Sequence, residues 1–173
     1  MLSFDIRSLE SHAVQVDGTL GADDPVWQEG DPVPASPVRV RGRLSPAGAP
    51  GRFYFSGEMH GRLDGECRRC LIPVPVSVDE DDIHLIFAES ADDDAADDPD
   101  VYIVDPRARE LDLRPAIREH WLLGVPAYAE CRPDCKGLCP TCGTDLNTGS
   151  CDCTPAATDS RWNALRAIRS DAE

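Results

Sequence analysis

The sequence predicts an α+β protein: an antiparallel β-meander sheet or partial barrel, covered by one or two helices, with a C-terminal zinc-knuckle segment. Three observations predict it. Apolar and polar residues alternate with a period of two through much of residues 37–87, as on strands with one buried face. Helical spacing of apolar residues takes over at 113–121 and again at 162–168. Six of the eight cysteines fall between Cys131 and Cys153, in close pairs such as metal sites use.

The first 36 residues read as an extended N-terminal segment, with the Pro/Gly-rich stretch from Gly21 to Pro37 as a loop. A sheet domain is expected over 37–130. In its first strand, Pro37 to Leu44, Val38, Val40 and Leu44 point one way, while Arg39, Arg41 and Arg43 make an arginine row on the wet side. The alternation from Phe53 to Cys67 places Phe53, Phe55, Met59, Leu63 and Cys67 inward, and Gly57, Gly61 and Gly65 on that same face suggest bends. A third strand runs from Ile72 through Val78 toward Phe87, with Ile72, Val74, Val76 and Val78 inward. Pro73 and Pro75 remove two donors along one side, which makes it an edge strand there. Cys67-Arg-Arg-Cys70 then occupies a strand-to-strand turn.

Residues 88–100 form an acidic loop, after which Val101 to Val104 is a short strand and 112–123 a covering helix. Asp112 is its expected cap, Pro115 lies in its first turn, and Leu113, Ile117 and Trp121 form its buried stripe. Gly124 and Pro126 end it. The segment 131–173 holds the remaining cysteines and a last helix at about 160–169, with Trp162, Leu165 and Ile168 on its apolar face.

At 173 residues the chain has room for one domain with a small appendage. No run is apolar enough to cross a bilayer and no leader pattern opens the chain, so a soluble, cytoplasmic protein is expected. In that reducing compartment the paired cysteines read as metal ligands rather than disulfides. The net charge of −15 is uneven: Asp79 to Asp100 holds eleven acids and no Lys or Arg, and the rest of the chain carries the remaining −4. Asp92, Asp93, Asp94, Asp97 and Asp98 make the loop's densest stretch. Such runs are usually just solvated, and the sharper reading is a dock for a basic partner or a mimic of a phosphate backbone.

Tetrahedral zinc takes four ligands, commonly as two close pairs. Cys139-x2-Cys142 with Cys151-x-Cys153 would make one closed site, and Cys67-x2-Cys70 with Cys131-x3-Cys135 a second one tying the C-terminal segment to the sheet. Crossed pairings also fit the spacing. Two Zn²⁺ ions are the expected cofactors; an iron–sulfur cluster suits the same thiolates but is the weaker reading. Cys135-x3-Cys139-x2-Cys142 has the spacing of radical S-adenosylmethionine enzymes, yet it lies near the end of an antiparallel meander rather than early in an α/β barrel. Four thiolates leave no open coordination position, which argues for scaffolding over catalysis.

Beyond spacing, Cys67-Arg-Arg-Cys70-Leu at a strand turn, the acidic insert, and Asp112-Leu-Arg-Pro-Ala-Ile resemble the YceD family. So do Cys135-Lys-Gly-Leu-Cys139-Pro-Thr-Cys142-Gly-Thr-Asp-Leu-Asn147 and the closing Asp159-Ser-Arg-Trp-Asn-Ala-Leu. The resemblance runs from about residue 37 onward and is most specific in the last third. It implies a role in accumulation of 23S ribosomal RNA and in building the large ribosomal subunit. A redox-responsive zinc chaperone or regulatory protein is the alternative, but there the two cysteine pairs run in the opposite order.

A chain this acidic meets RNA only through segregated cations. Arg68, Arg69, Arg132 and Lys136 around the cysteines are the candidate RNA contacts, and the acidic loop suits a basic large-subunit ribosomal protein. No membrane or small-molecule partner is expected. Catalytic residues are expected to be none: His12, His60, His84 and His120 fall in no nucleophile or metal motif, and no phosphate-binding loop or G-x-S-x-G appears. A DNA-binding zinc ribbon would need a basic face that this charge balance does not offer.

Overall fold

The computed structural model describes residues 1–88 and 101–154. The chain divides into two compact units, Met1–Glu66 with Pro73–Ala129, and Cys67–Ile72 with the chain from Glu130 onward. The acidic run and the helix expected at 160–169 lie outside the described residues.

The first unit is a mixed α+β domain. Its elements are β1 (Ser3–Asp5), α1 (Ile6–Leu9), β2 (Val14–Leu20), β3 (Ser36–Pro46), β4 (Arg52–Glu66), β5 (Pro73–Ala88), β6 (Val101–Ile103), β7 (Glu110–Asp112) and α2 (Arg114–Gly124). Five strands form a sheet of order β2-β3-β4-β5-β6, and β1 pairs with β7 in a separate two-stranded sheet. The β2–β5 meander is antiparallel, whereas β6 pairs in parallel with β5 over Ile86–Ala88. That short parallel pairing is where the sheet departs from the expected meander.

Side-chain alternation builds this core. Val38, Val40, Leu44, Phe53, Phe55 and Met59 are fully buried, with Leu63, Val76, Val78, Leu85 and Phe87 beside them. Ile72 does not share that face: strand pairing starts at Pro73, so Ile72 falls in the loop and is 45% exposed. Pro73 and Pro75 lie where β5 has only β4 as a neighbour, because β6 reaches no further than Ile86. A missing donor costs nothing on an unpaired edge.

Residues 1–36, read as extended, instead carry β1, one helical turn and β2, whose Val16 and Leu20 enter the core. Asp112 does not cap α2 in the expected way. The N-cap is Leu113, and Asp112 Oδ1 accepts the backbone N–H of Arg114 at 3.0 Å while its carboxylate also holds the Arg114 guanidinium. Leu113, Ile117 and Trp121 form the buried stripe, all at 0% exposure.

Residues 21–35 are strapped onto α2. Trp27 meets Trp121 edge-on at 6.2 Å, Trp121 Nε1 donates to Pro32 O at 2.6 Å, and Arg118 grips Asp31 through two bonds of 2.7 and 2.9 Å. Across the sheet, Gly61 is the only size that fits under Trp121, since a Cβ there would sit 2.5 Å from the indole ring. The Arg118 guanidinium holds the Asp31 carboxyl below its ordinary range.

Candidate metal centre

Two turns in the second unit share one backbone construction. In the first, Leu71 N donates to Cys67 O at 2.8 Å and Cys67 N to Ile72 O at 2.9 Å; in the second, Gly143 N donates to Cys139 O and Cys139 N to Thr144 O, both at 2.8 Å. Each turn needs a left-handed residue just after its second cysteine, filled by Leu71 (φ 60°) and by Gly143 (φ 75°). Glycine takes that conformation freely, while Leu71 does so against a steric penalty.

The eight cysteines gather into two groups of four, Cys67, Cys70, Cys131 and Cys135, and Cys139, Cys142, Cys151 and Cys153. Within each group all sulfurs lie within 4.8 Å of one another. The Cys67–Cys135 and Cys70–Cys131 sulfurs are 3.9 and 3.7 Å apart. A tetrahedron with metal–sulfur bonds of about 2.3 Å has edges of about 3.8 Å, so these spacings fit a tetrahedral ion. In the first group Cys67, Cys70 and Cys135 are buried; in the second Cys142 is exposed.

Local dipoles sort the thiols. The backbone N–H of Cys131, then that of Arg69, draws the Cys67 thiol down to about 6. Burial, then the neighbouring Cys135 thiol, pushes Cys131 up to about 12. In the second group the Thr144 hydroxyl, 3.2 Å from the Cys142 sulfur, leads in lowering Cys142 to about 6, and the Cys142 thiol leads in raising Cys153 to about 12. Four thiols packed together resist complete ionisation, and a bound dication removes that resistance.

Polar groups brace the first cluster. Arg69 Nη1 donates to Cys135 O at 2.9 Å, and Leu138 N to Arg69 O at 2.9 Å. Gly137 (φ 74°) lets the chain pass there, since a Cβ would meet Arg69 O at 2.8 Å. Asn147 reaches further: its Nδ2 donates to Cys135 Sγ at 3.5 Å and to Asp145 Oδ1 at 2.7 Å, and its Oδ1 accepts Lys136 N at 2.8 Å and Arg132 Nη2 at 2.9 Å. Sequence reasoning placed Asn147 only at the end of the family-like motif and missed this role. Its Asp-Leu-Asn spacing, which places an Asx turn beside the knuckle, was the available signal.

The candidate RNA contacts are assembled in the same unit but mostly engaged. Arg68 and Arg69 both bond Glu130, and Arg132 pairs with Asp134 at 3.3 Å as well as with Asn147. Lys136 has no side-chain partner among the described residues. In the first unit, Arg39 and Arg41 both face Asp17, at 3.9 and 3.7 Å. His60 stands at the surface among Asp79 (3.0 Å), Asp81 (3.6 Å) and Glu58 (3.9 Å), a grouping set by the β4–β5 register that sequence periodicity did not reveal. Asp92, Asp93, Asp94, Asp97 and Asp98 lie outside the described residues. No helix among the described residues is long and apolar enough to cross a membrane.

The family described as "Large ribosomal RNA subunit accumulation protein YceD" matches residues 55–169, a span that includes all eight cysteines. A Zea mays protein named "Large ribosomal RNA subunit accumulation protein YCED homolog 1, chloroplastic" is 33% identical over 132 residues, covering 61% of this chain and 45% of the relative. An uncharacterized Mycobacterium bovis protein is 39% identical over 84 residues, 47% of this chain and 39% of the relative. An Arabidopsis thaliana protein with the same name as the maize one is 34% identical over 64 residues, 37% of this chain and 20% of the relative. The chain thus spans less than half the length of these curated relatives. No solved structure matches it.

Proposed function

The chain belongs to the YceD family, and on that premise we propose that it is a non-catalytic assembly factor required for accumulation of 23S ribosomal RNA and for large-subunit biogenesis. The observation that carries the reading is the family match across residues 55–169. Each cysteine group would hold one structural Zn²⁺, Cys67, Cys70, Cys131 and Cys135 the first and Cys139, Cys142, Cys151 and Cys153 the second. Zinc suits all-thiolate tetrahedral donors, and full ligation by protein leaves no position for substrate. The ions would supply folding free energy to a unit with few regular elements among its described residues.

The protein would work in the cytoplasm by engaging its partners directly. Asp92, Asp93, Asp94, Asp97 and Asp98 would attract a basic large-subunit ribosomal protein, whose charge they complement. Arg68, Arg69, Arg132 and Lys136 would supply RNA contact beside the first zinc, with Lys136 the freest of the four.

Depletion of the protein in its own host, with the ratio of 23S to 16S ribosomal RNA as readout, tests the function. A fall in that ratio, reversed by the wild-type chain and not by Cys67→Ser, is expected. An unchanged ratio on depletion contradicts the reading.

A further inference from the structure

Seven of the thirteen arginines among the described residues have carboxylate partners, and three of the other six line one cleft. Arg7, Arg107 and Arg109 border a polar cleft of about 540 Å³, together with Asp5, Glu10 and Pro106. None of the three guanidinium groups has a side-chain partner among the described residues.

The backbone beneath them is fixed. Strands β1 and β7 pair Asp5 with Glu110, and Ile6 N donates to Arg109 O at 2.9 Å. Ile6 and Leu9 are buried at 5% and 0% exposure, which anchors α1 and leaves Arg7 on its outer side. Arg107 sits in a turn closed by Ala108 N to Asp105 O at 2.8 Å and by Arg107 N to Asp105 Oδ1 at 2.8 Å.

The nearby acids are largely occupied. Asp5 caps α1 through the N–H of Ser8 at 3.0 Å, and Glu110 accepts the Ser3 hydroxyl at 2.6 Å. Glu10 is the remaining carboxylate on the lining. On the lining itself three forked donors stand against two carboxylates, carried on hydrogen-bonded backbone, an arrangement suited to phosphate oxygens.

We propose that this cleft binds the phosphodiester backbone of RNA. The inference deepens the ribosomal-RNA reading and rests on it, but it places a phosphate contact in the first unit, on residues other than those around the cysteines. Arg39 and Arg41 are weaker candidates because Asp17 faces them both.

The test measures binding of a fluorescein-labelled uridine homopolymer RNA by anisotropy across a salt series. The proteins compared are the full zinc-loaded chain, the triple variant Arg7→Gln/Arg107→Gln/Arg109→Gln, the corresponding triple lysine variant, and Arg132→Gln/Lys136→Gln. Loss of three phosphate contacts should make the log–log salt dependence shallower by about 2 and weaken binding roughly tenfold near physiological salt, with most of both kept by the lysine variant.

Unchanged melting temperature and zinc content certify the fold. If the triple glutamine variant fails to fold, single Arg7→Gln and Arg107→Gln variants, each expected to lower the slope by about 0.7, decide the matter. Three outcomes overturn the cleft: wild-type binding in the glutamine variants, loss only in Arg132→Gln/Lys136→Gln, or no RNA binding by the wild type. Competition by inorganic phosphate at concentrations matching the RNA phosphates overturns RNA as the source of the anion. None of these touches the depletion experiment, whose failure would remove the ribosomal reading itself.

Discussion

Replacing Asn147 with alanine should loosen the first metal site without touching a cysteine. The amide makes four hydrogen bonds, to Cys135 Sγ, Lys136 N, Asp145 Oδ1 and Arg132 Nη2. The bond to Arg132 is exposed and counts for little. The remaining three orient Cys135 and its neighbour, and partners of this kind change metal affinity by about 10–100-fold, which is about 1.4–2.7 kcal/mol. Zinc competition with a chromophoric chelator, resolved by site with Cys151→Ser as background, measures it. Asn147→Asp should do worse, because it places a carboxylate against a thiolate and against Asp145. First-site affinity within twofold of wild type in Asn147→Ala would refute the bracing role.

Gly137→Ala should destabilise the zinc-loaded protein more than Gly143→Ala. Both force a left-handed backbone at about 1–2 kcal/mol, but only Gly137 also meets backbone, Arg69 O at 2.8 Å, so chemical denaturation should rank them in that order. Trp121→Phe should cost about 2–4 kcal/mol in the same assay, from a lost bond to Pro32 O and the space left beside Trp27. Asp31→Asn should lower the melting temperature at neutral pH, and the gap should close in acid. Asp31 is held below its ordinary value of 3.8, so its contribution is complete above that value and is lost as pH falls through the folded-state value.

The strand faces of β3, β4 and most of β5 were legible because a period of two reports a single buried face, and Val38 to Leu44 and Phe53 to Leu63 keep it without interruption. The same signal existed at Val14, Val16 and Leu20, but the Gly/Pro-rich stretch after it masked a strand whose partner lies 18 to 30 residues away in register. The parallel β6 follows a long connection and pairs only three residues, too few to carry a pattern. Cysteine spacing pointed to the two groups of four that the fold assembles, since each knuckle is a local turn. Asn147, Arg69 and Gly137 were invisible as a set because their contacts depend on how the knuckles meet, and no short-range period encodes that.

Metal content of the purified chain by mass spectrometry under non-denaturing conditions, repeated for Cys67→Ser and Cys151→Ser, tests the two-cage scaffold most directly. Two zinc ions per wild-type chain and one in each variant are expected. A metal-free wild-type chain, or a single ion lost only with Cys151→Ser, would contradict it.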